Sequence, residues 1–356
     1  MAEQSEERAS EKRPYIGGQA VIEGVMMRAP RGLSIAVRRP DGSLVILEEP
    51  YTPKGARLFK LPLLRGVATL GEALQLGWRA LKFSAEQQVP EGEEMPEEEG
   101  KGAIVLSTVL ALGLFVALPQ LLASGSGKLF GVDFGLDDPR FHVVIGLFKL
   151  LIVFLYMVAI SRIPEIRRTF QFHGAEHKTI HAYEQDLELT VENVQAQTTL
   201  HPRCGTTFLV VVVLMSIVAG SLAAPLVLPA GMDGLLGQVA LLTLRIALLP
   251  FIAAFSFELQ RLSARYCTKG PLRIFLLPGF LFQKITTREP DDDQVEVAIA
   301  AMEAAAWRER EAAEEPIEAA APAPSPALEP LVFPSFEGFR AALSRGLRSG
   351  AVLGQG

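Results

Sequence analysis

A chain of 356 residues with 49% hydrophobic side chains and a mean hydropathy of +0.27 is too apolar to be wholly soluble, and its hydrophobicity is gathered in blocks. The net charge of −6 offers no basic surface for nucleic acid, because acidic residues cluster at 86–99 and 289–315 while basic residues lie elsewhere. Two cysteines, Cys204 and Cys267, allow one disulfide at most, and the topology below puts both on the reducing side of a membrane.

Residues 1–13 are polar and charged, a disordered tail with no apolar core for a cleavable signal peptide. Tyr15 to Arg28 is an apolar run holding Gly17, Gly18 and Gly24 and a single carboxylate, Glu23. Glu23 reads first as a strand residue facing water and second as a carboxylate aimed into a site. Leu33–Val37 and Leu44–Leu47 flank Arg38-Arg-Pro-Asp-Gly-Ser43, which is turn chemistry between β-favouring runs, so residues 14–60 are expected to hold a small β-hairpin unit. From Leu61 to Phe83, Leu63, Val67, Leu70, Leu74, Trp78 and Leu81 recur at helical spacing. They predict an amphipathic helix on the bilayer or against a transmembrane bundle, with the bundle preferred, followed by an acidic linker at 90–100.

Four apolar segments, 102–122, 141–160, 207–228 and 239–257, have 19 to 22 residues each. That is enough to cross roughly 30 Å of hydrocarbon at about 1.5 Å per residue, so the fold class is an α-helical integral membrane protein with four transmembrane helices. The loop at 161–206 carries Arg162, Arg167, Arg168, Lys178 and Arg203, and residues 258–288 carry Arg261, Arg265, Lys269, Arg273, Lys284 and Arg288. By the positive-inside rule the 161–206 loop and both termini face the cytoplasm. Lys149 and Arg245 lie inside the second and fourth segments, with no acid in any segment to pair with them. They either snorkel to the headgroups or contact an anionic lipid or other anion in the bundle.

Most of the chemistry-bearing residues fall between Phe172 and Gly205. On a helix His173, Glu176, His177, His181 and Glu184 share one face. His173 and His177 stand one turn apart, the spacing at which two imidazoles reach one metal ion, and Glu176 beside them is placed to act as a general base. The string also fits the H-x-x-E-H pattern of inverted zinc peptidases. His201 and Cys204, in His201-Pro-Arg-Cys204, supply the natural third and fourth ligands for zinc first and iron second. The simpler alternative is a solvated helix whose histidines pair with neighbouring glutamates. Glu258, at the end of the fourth segment, is either an extra ligand or a partner of Arg261 or Arg265.

Residues 271–290 are too broken by Pro and Gly to span and are expected at the membrane interface. Val295, Ile299, Met302 and Ala306 predict a short amphipathic helix at 291–310. Residues 311–356 read as a low-complexity tail ending in a basic amphipathic helix (Phe336, Phe339, Leu343, Leu347 with Arg340, Arg345, Arg348) able to touch anionic lipid.

Five strings, Gly17 to Arg28, Phe172 to Thr179, Ala182-Tyr-Glu184, His201 to Thr206 and Thr286 to Pro290, occur in an order that resembles the YqhQ-like (DUF1385) bacterial membrane proteins. The resemblance implies a multi-pass protein of the bacterial inner membrane, often labelled a metal-dependent enzyme with no established reaction. The family pattern leaves His181 outside the shared set and His173, Glu176, His177, His201 and Cys204 within it. Two functions follow. One is a cytoplasm-facing metal-dependent hydrolase acting on a lipid-like or membrane-protein substrate, with Glu176 as base. The other is a non-enzymatic scaffold or assembly factor, in which four ligands close a structural zinc site and a protein partner is bound, with lipid handling through Lys149 and Arg245 as a variant.

Overall fold

The computed structural model describes residues 13–51, 61, 64–90, 101–129, 131, 135–228, 232, 234–267, 270–314 and 329–347. The N-terminal tail and the acidic linker expected from the sequence lie largely outside these residues, as does Leu63.

Five strands form one antiparallel sheet in sequential order: β1 (Gly17–Val21), β2 (Gly24–Arg28), β3 (Gly32–Arg38), β4 (Leu44–Pro50) and β5 (Leu331–Phe333). The hairpin expected between residues 33 and 47 is β3–β4, and the sheet extends it on both sides. The Gly-rich run before it is also a hairpin, closed by Ile22 and Glu23, and Glu23 takes the left-handed conformation at φ 50°. Gly24 follows because the Ala36 carbonyl occupies the place a Cβ would need.

Among the described residues the helices, in chain order, are α1 (Leu64–Glu86), α2 (Lys101–Leu112), a π-turn at Gly113–Ala117, α3 (Leu118–Leu129), α4 (Pro139–Ile160), α5 (Pro164–Glu184), α6 (Val191–Gln195), α7 (Gly205–Val227), α8 (Gly234–Tyr266), α9 (Leu277–Thr286) after a 3₁₀ turn at Pro271–Leu276, α10 (Asp292–Glu314) and α11 (Phe336–Ser344). Four helical stretches, Val105–Gly127, Pro139–Ile160, Gly205–Val227 and Gly234–Ser263, are long and apolar enough to cross a membrane. The last is longer than its sequence pattern suggests because α8 runs through Pro250, and its far end reaches the sheet unit.

The sheet is covered on both faces. Val25, Met27, Ala36, Leu44 and Ile46 point one way, onto Phe172 and Ala175 of α5 and the run Val295–Ala305 of α10. Val21, Met26, Leu33, Ile35, Val37, Val45 and Leu47 point the other way, onto Ala80 and Phe83 of α1. α10 is therefore a core helix, buried almost all round, where its stripe suggested a short amphipathic helix with one apolar face. Its alanines let the sheet come close: a Cβ on Gly32 would sit 2.9 Å from the Ala305 carbonyl oxygen. The basic tail helix docks likewise, with Phe333, Phe339 and Ala342 buried and Arg340 paired with Glu303 at 2.7 Å.

α1 differs from expectation in which face it presents. Its small residues Gly66, Gly77 and Ala80 are buried, and Gly66 lies against Ala254 of α8. Of the apolar stripe, Val67, Leu74, Trp78 and Leu81 point outward and are exposed, while Leu70 is half-buried. Close helix contact through small residues leaves large apolar side chains free for lipid. Glu258 belongs to this contact. It accepts from Arg65 of α1 at 2.6 Å, a partner the sequence did not point to.

Segments before the first apolar helix, between the second and third, and after the fourth all join the sheet unit. The chain thus returns to the same end of the bundle after each pair of apolar helices.

Candidate metal centre

α5 starts at Pro164 with Glu165 in its first turn, favourable helix-start chemistry, and buries Phe172, Ala175, Glu176, His177 and Ile180. The chain at 286–288 crosses it where Gly174 has no side chain: a Cβ there would collide with the Arg288 carbonyl oxygen, and Arg288 N–H donates to the Phe170 carbonyl at 2.9 Å. This crossing brings the Thr286 carbonyl 2.8 Å from His173 Nδ1. On the next turn, His177 Nδ1 lies 2.5 Å from the Thr199 carbonyl. A carbonyl only accepts, so both rings carry their proton on Nδ1 and offer the Nε2 lone pair. Cys204, the N-cap residue of α7, places its Sγ 3.3 Å from His173 Nε2. One ligand atom each from His173, His177 and Cys204 lies within 4.8 Å of the others.

Glu176 has a carboxylate oxygen 4.0 Å from His173 Nε2. It is buried, and burial pushes its carboxyl above the ordinary range, partly offset by His173, His201 and the Gly18 N–H that donates to it. Gly18 leaves the room: a Cβ there would sit 2.8 Å from Glu176 Cγ and from Met27 Sδ. Burial likewise pushes His177 below the usual imidazole range, which keeps the ring neutral and able to ligate. Two imidazole nitrogens and a thiol, oriented by backbone carbonyls and beside a buried carboxyl, fit a zinc or iron ion with a fourth position open.

His201 stands apart from the grouping expected of it. Its ring lies 4.8 Å from His181 and 5.5 Å from His177, and its Nε2 is 3.8 Å from a Glu184 oxygen. His181, Glu184 and His201 form a second group of close ligand atoms. Here, however, Glu184 is already ion-paired with Arg203, and His181 Nε2 is tied to the Leu200 carbonyl at 2.9 Å. The four expected ligands are thereby divided: His173, His177 and Cys204 bring one ligand atom each together, while His201, still close enough to act on Glu176, has its ligand atom grouped with those of His181 and Glu184. Glu23 is not near either group; both its oxygens accept from Arg168 at 2.6 Å. Lys149 and Arg245 lie within α4 and α8, far along the chain from these loops and buried.

Sequence reasoning missed the supports. Gln283 of α9 is buried, accepts from His201 N–H at 2.8 Å and donates to the His201 carbonyl at 2.8 Å and Thr207 Oγ1 at 3.0 Å. Gln260 of α8 donates to the Cys204 carbonyl at 2.9 Å. Backbone carbonyls and lone glutamines have no motif, so only the fold identifies them. Gln283→Leu, which strands both backbone groups of His201, is expected to cost about 2–4 kcal/mol. Thermal unfolding in detergent checks this, with a fall of several degrees as the expected result.

A cavity of about 860 Å³ opens on the cluster between β1, β2, α1, α5 and the near ends of α7 and α8. Leu70, Ala73, Leu76, Phe170, Phe208 and Phe257 contribute apolar walls, while His173, Glu176, His177, His201 and Cys204 contribute to the polar one. Phe208 and Phe257 belong to the apolar helices, so the cavity joins the sheet unit to the membrane-type bundle.

The fold and site define a helical protein of membrane type, with four apolar helices carrying a sheet unit and a buried His/Cys/Glu cluster. A family model described as "Protein of unknown function (DUF1385)" matches residues 61–308, and the chain belongs to this family. The "Uncharacterized protein YqhQ" of Bacillus subtilis (strain 168) is 38% identical over 297 residues, which cover 80% of this chain and 90% of that protein. No solved structure matches the chain.

Proposed function

We propose that the protein is a metal-dependent hydrolase of the bacterial cytoplasmic membrane, with its site on the cytoplasmic side and a lipid-like amphiphile as substrate. The observation that carries this reading is the commitment of His173 Nδ1 and His177 Nδ1 to backbone carbonyls, which leaves two Nε2 atoms and the Cys204 thiol to converge beside Glu176. Zinc, or iron, held by these three groups would supply Lewis acidity and lower the pKa of a water. Glu176, buried and close to His173, takes the proton from the attacking water and returns it to the leaving group. The apolar cavity walls hold the hydrocarbon part of a substrate, and the outward stripe of α1 rests in the lipid surface from which it enters. The cytoplasmic placement rests on the Lys and Arg of residues 161–206 and 258–288.

Elemental mass spectrometry of the purified protein tests the reading. Near-stoichiometric zinc or iron is expected in the wild type and is expected to be lost in His173→Ala, His177→Ala and Cys204→Ala. His201→Ala is expected to keep most of it, because His201 faces the second group. A metal-free wild type would overturn the proposal.

One contact favours a second reading. Cys204 Sγ lies 3.3 Å from His173 Nε2 at the start of α7, the arrangement of a thiol nucleophile and its base in acyl transfer. Turnover that survives chelators but stops on alkylation of Cys204 would select it over the metal-dependent reaction.

A further inference from the structure

Away from the cluster, the four-helix bundle holds a polar group of a different kind. Lys149 lies ten residues, roughly 15 Å, into α4, and Arg245 lies within α8. They are 9% and 7% exposed, which rules out the snorkelling geometry in which charged heads reach water. One Arg245 nitrogen donates to His142 Nδ1 at 2.7 Å, so the imidazole proton sits on Nε2. His142 is fixed there by a missing side chain: a Cβ on Gly220 of α7 would come within 2.8 Å of its Nδ1.

Hydrogen-bond accounting around these residues does not close. Among the described residues Arg245 Nε is a buried donor with no acceptor, while the His142 ring has the Leu136 backbone as a neighbour on its other nitrogen. Among the described residues Lys149 Nζ reaches only Ser216 Oγ, at 3.4 Å, and Ser216 spends its own proton on the Val213 carbonyl at 2.7 Å. Lys149 and Arg245 are like charges buried within one bundle. No carboxylate among the described residues forms an ion pair with either. The acids nearest His142 are Asp137 and Asp138 at the start of α4; Asp137 is exposed, and Asp138 caps α4 and accepts from Arg140 at 2.7 Å. Two buried cations therefore lie within the bundle with incomplete hydrogen bonding and, among the described residues, no counter-ion. Burying such a group is unfavourable unless an anion completes it.

We propose that His142, Lys149 and Arg245 form a binding site for a phosphate-type anion, in the half of the bundle away from the histidine–cysteine cluster. The guanidinium and the ammonium are donors borne on two helices, His142 holds the guanidinium through its Nδ1, and a tetrahedral oxyanion has oxygens for both cations. A monovalent halide has one centre and would leave donors unshared. The same chemistry serves the phosphate of an anionic lipid, its chains leaving between helices, and a small free phosphate.

The test uses the full-length protein with two probes. Its unfolding temperature in neutral detergent is measured with inorganic phosphate against chloride at equal ionic strength. Lipid retention is measured by native mass spectrometry after reconstitution with phosphatidylcholine alone or with added phosphatidylglycerol. Stabilisation by phosphate would identify a free anion, and a retained phosphatidylglycerol a lipid headgroup; either supports the site. In Arg245→Gln and Lys149→Gln the responding probe is expected to bind at least about tenfold more weakly, since a charge-assisted bond is lost, while Lys149→Arg keeps binding. His142→Gln provides the same comparison without removing a fixed charge. A wild type indifferent to both probes, or undiminished binding in the Gln variants, would overturn the proposal.

Discussion

Gly174→Ala is expected to destabilise the protein by more than about 3 kcal/mol and to empty the metal site at the same time. Most small-to-large changes in a core find a side chain able to move aside. At Gly174 the obstacle is the Arg288 carbonyl, part of a backbone segment held to α5 by the Arg288 N–H bond to Phe170. Making room for a methyl group means lifting residues 286–288 off the helix, and the Thr286 carbonyl that orients His173 moves with them. Thermal unfolding in detergent and metal content on the same preparation check both consequences. A variant of wild-type stability with its metal retained would show that the crossing is looser than the contact implies. Ala175, the next residue, is buried against other neighbours, so Ala175→Gly is the control, lowering stability by only about 1 kcal/mol through helix propensity and leaving the site intact.

Glu176→Gln is expected to lower turnover by about 10²–10⁴-fold while metal content and unfolding temperature stay near those of the wild type. The amide has the size of the carboxyl and can still accept the Gly18 N–H, but it cannot take up a proton. Because burial already opposes the charged form of Glu176, losing the acid does not cost the fold a strong ion pair. A cell extract or purified lipid panel that supports turnover in the wild type supplies the assay. Equal turnover in Glu176→Gln would remove Glu176 from the chemistry and favour the Cys204–His173 reading.

Much of the architecture was legible because its signals are local. Four apolar runs of spanning length, the Pro-Asp-Gly turn between β3 and β4, and His173, Glu176 and His177 on one helical face are each written within a few neighbouring residues. Cys204 belongs with His173 and His177 because chain spacing happened to match fold spacing. What stayed hidden depends on distant partners. The alanine run of α10 carries a modest amphipathic stripe, and nothing in it announces that sheet, α5 and α11 close around it. α1 was assigned its inner face by hydrophobicity, yet it packs by its glycines, since in contact with another apolar helix close approach outweighs apolar area. His201 was grouped by residue type alone, and the bonds from Gln283 to its backbone turn it toward Glu184.

The sheet unit is assembled from three places in the chain, and this bears on the order in which the molecule can be made. The strands β1 to β4 leave the ribosome before any apolar helix, but α10, which covers one of their faces, is synthesised only after all four of those helices, and β5 later still. Through that interval the face formed by Val25, Met27, Ala36, Leu44 and Ile46 has at most partial cover, from α5 against β1 and β2. Closing it joins residues more than two hundred positions apart, the kind of long-range pairing that slows folding and leaves edges open to wrong partners. The candidate site is thus completed late in synthesis: Thr286, whose carbonyl sets His173, and the helix that seals the sheet both follow all four apolar helices.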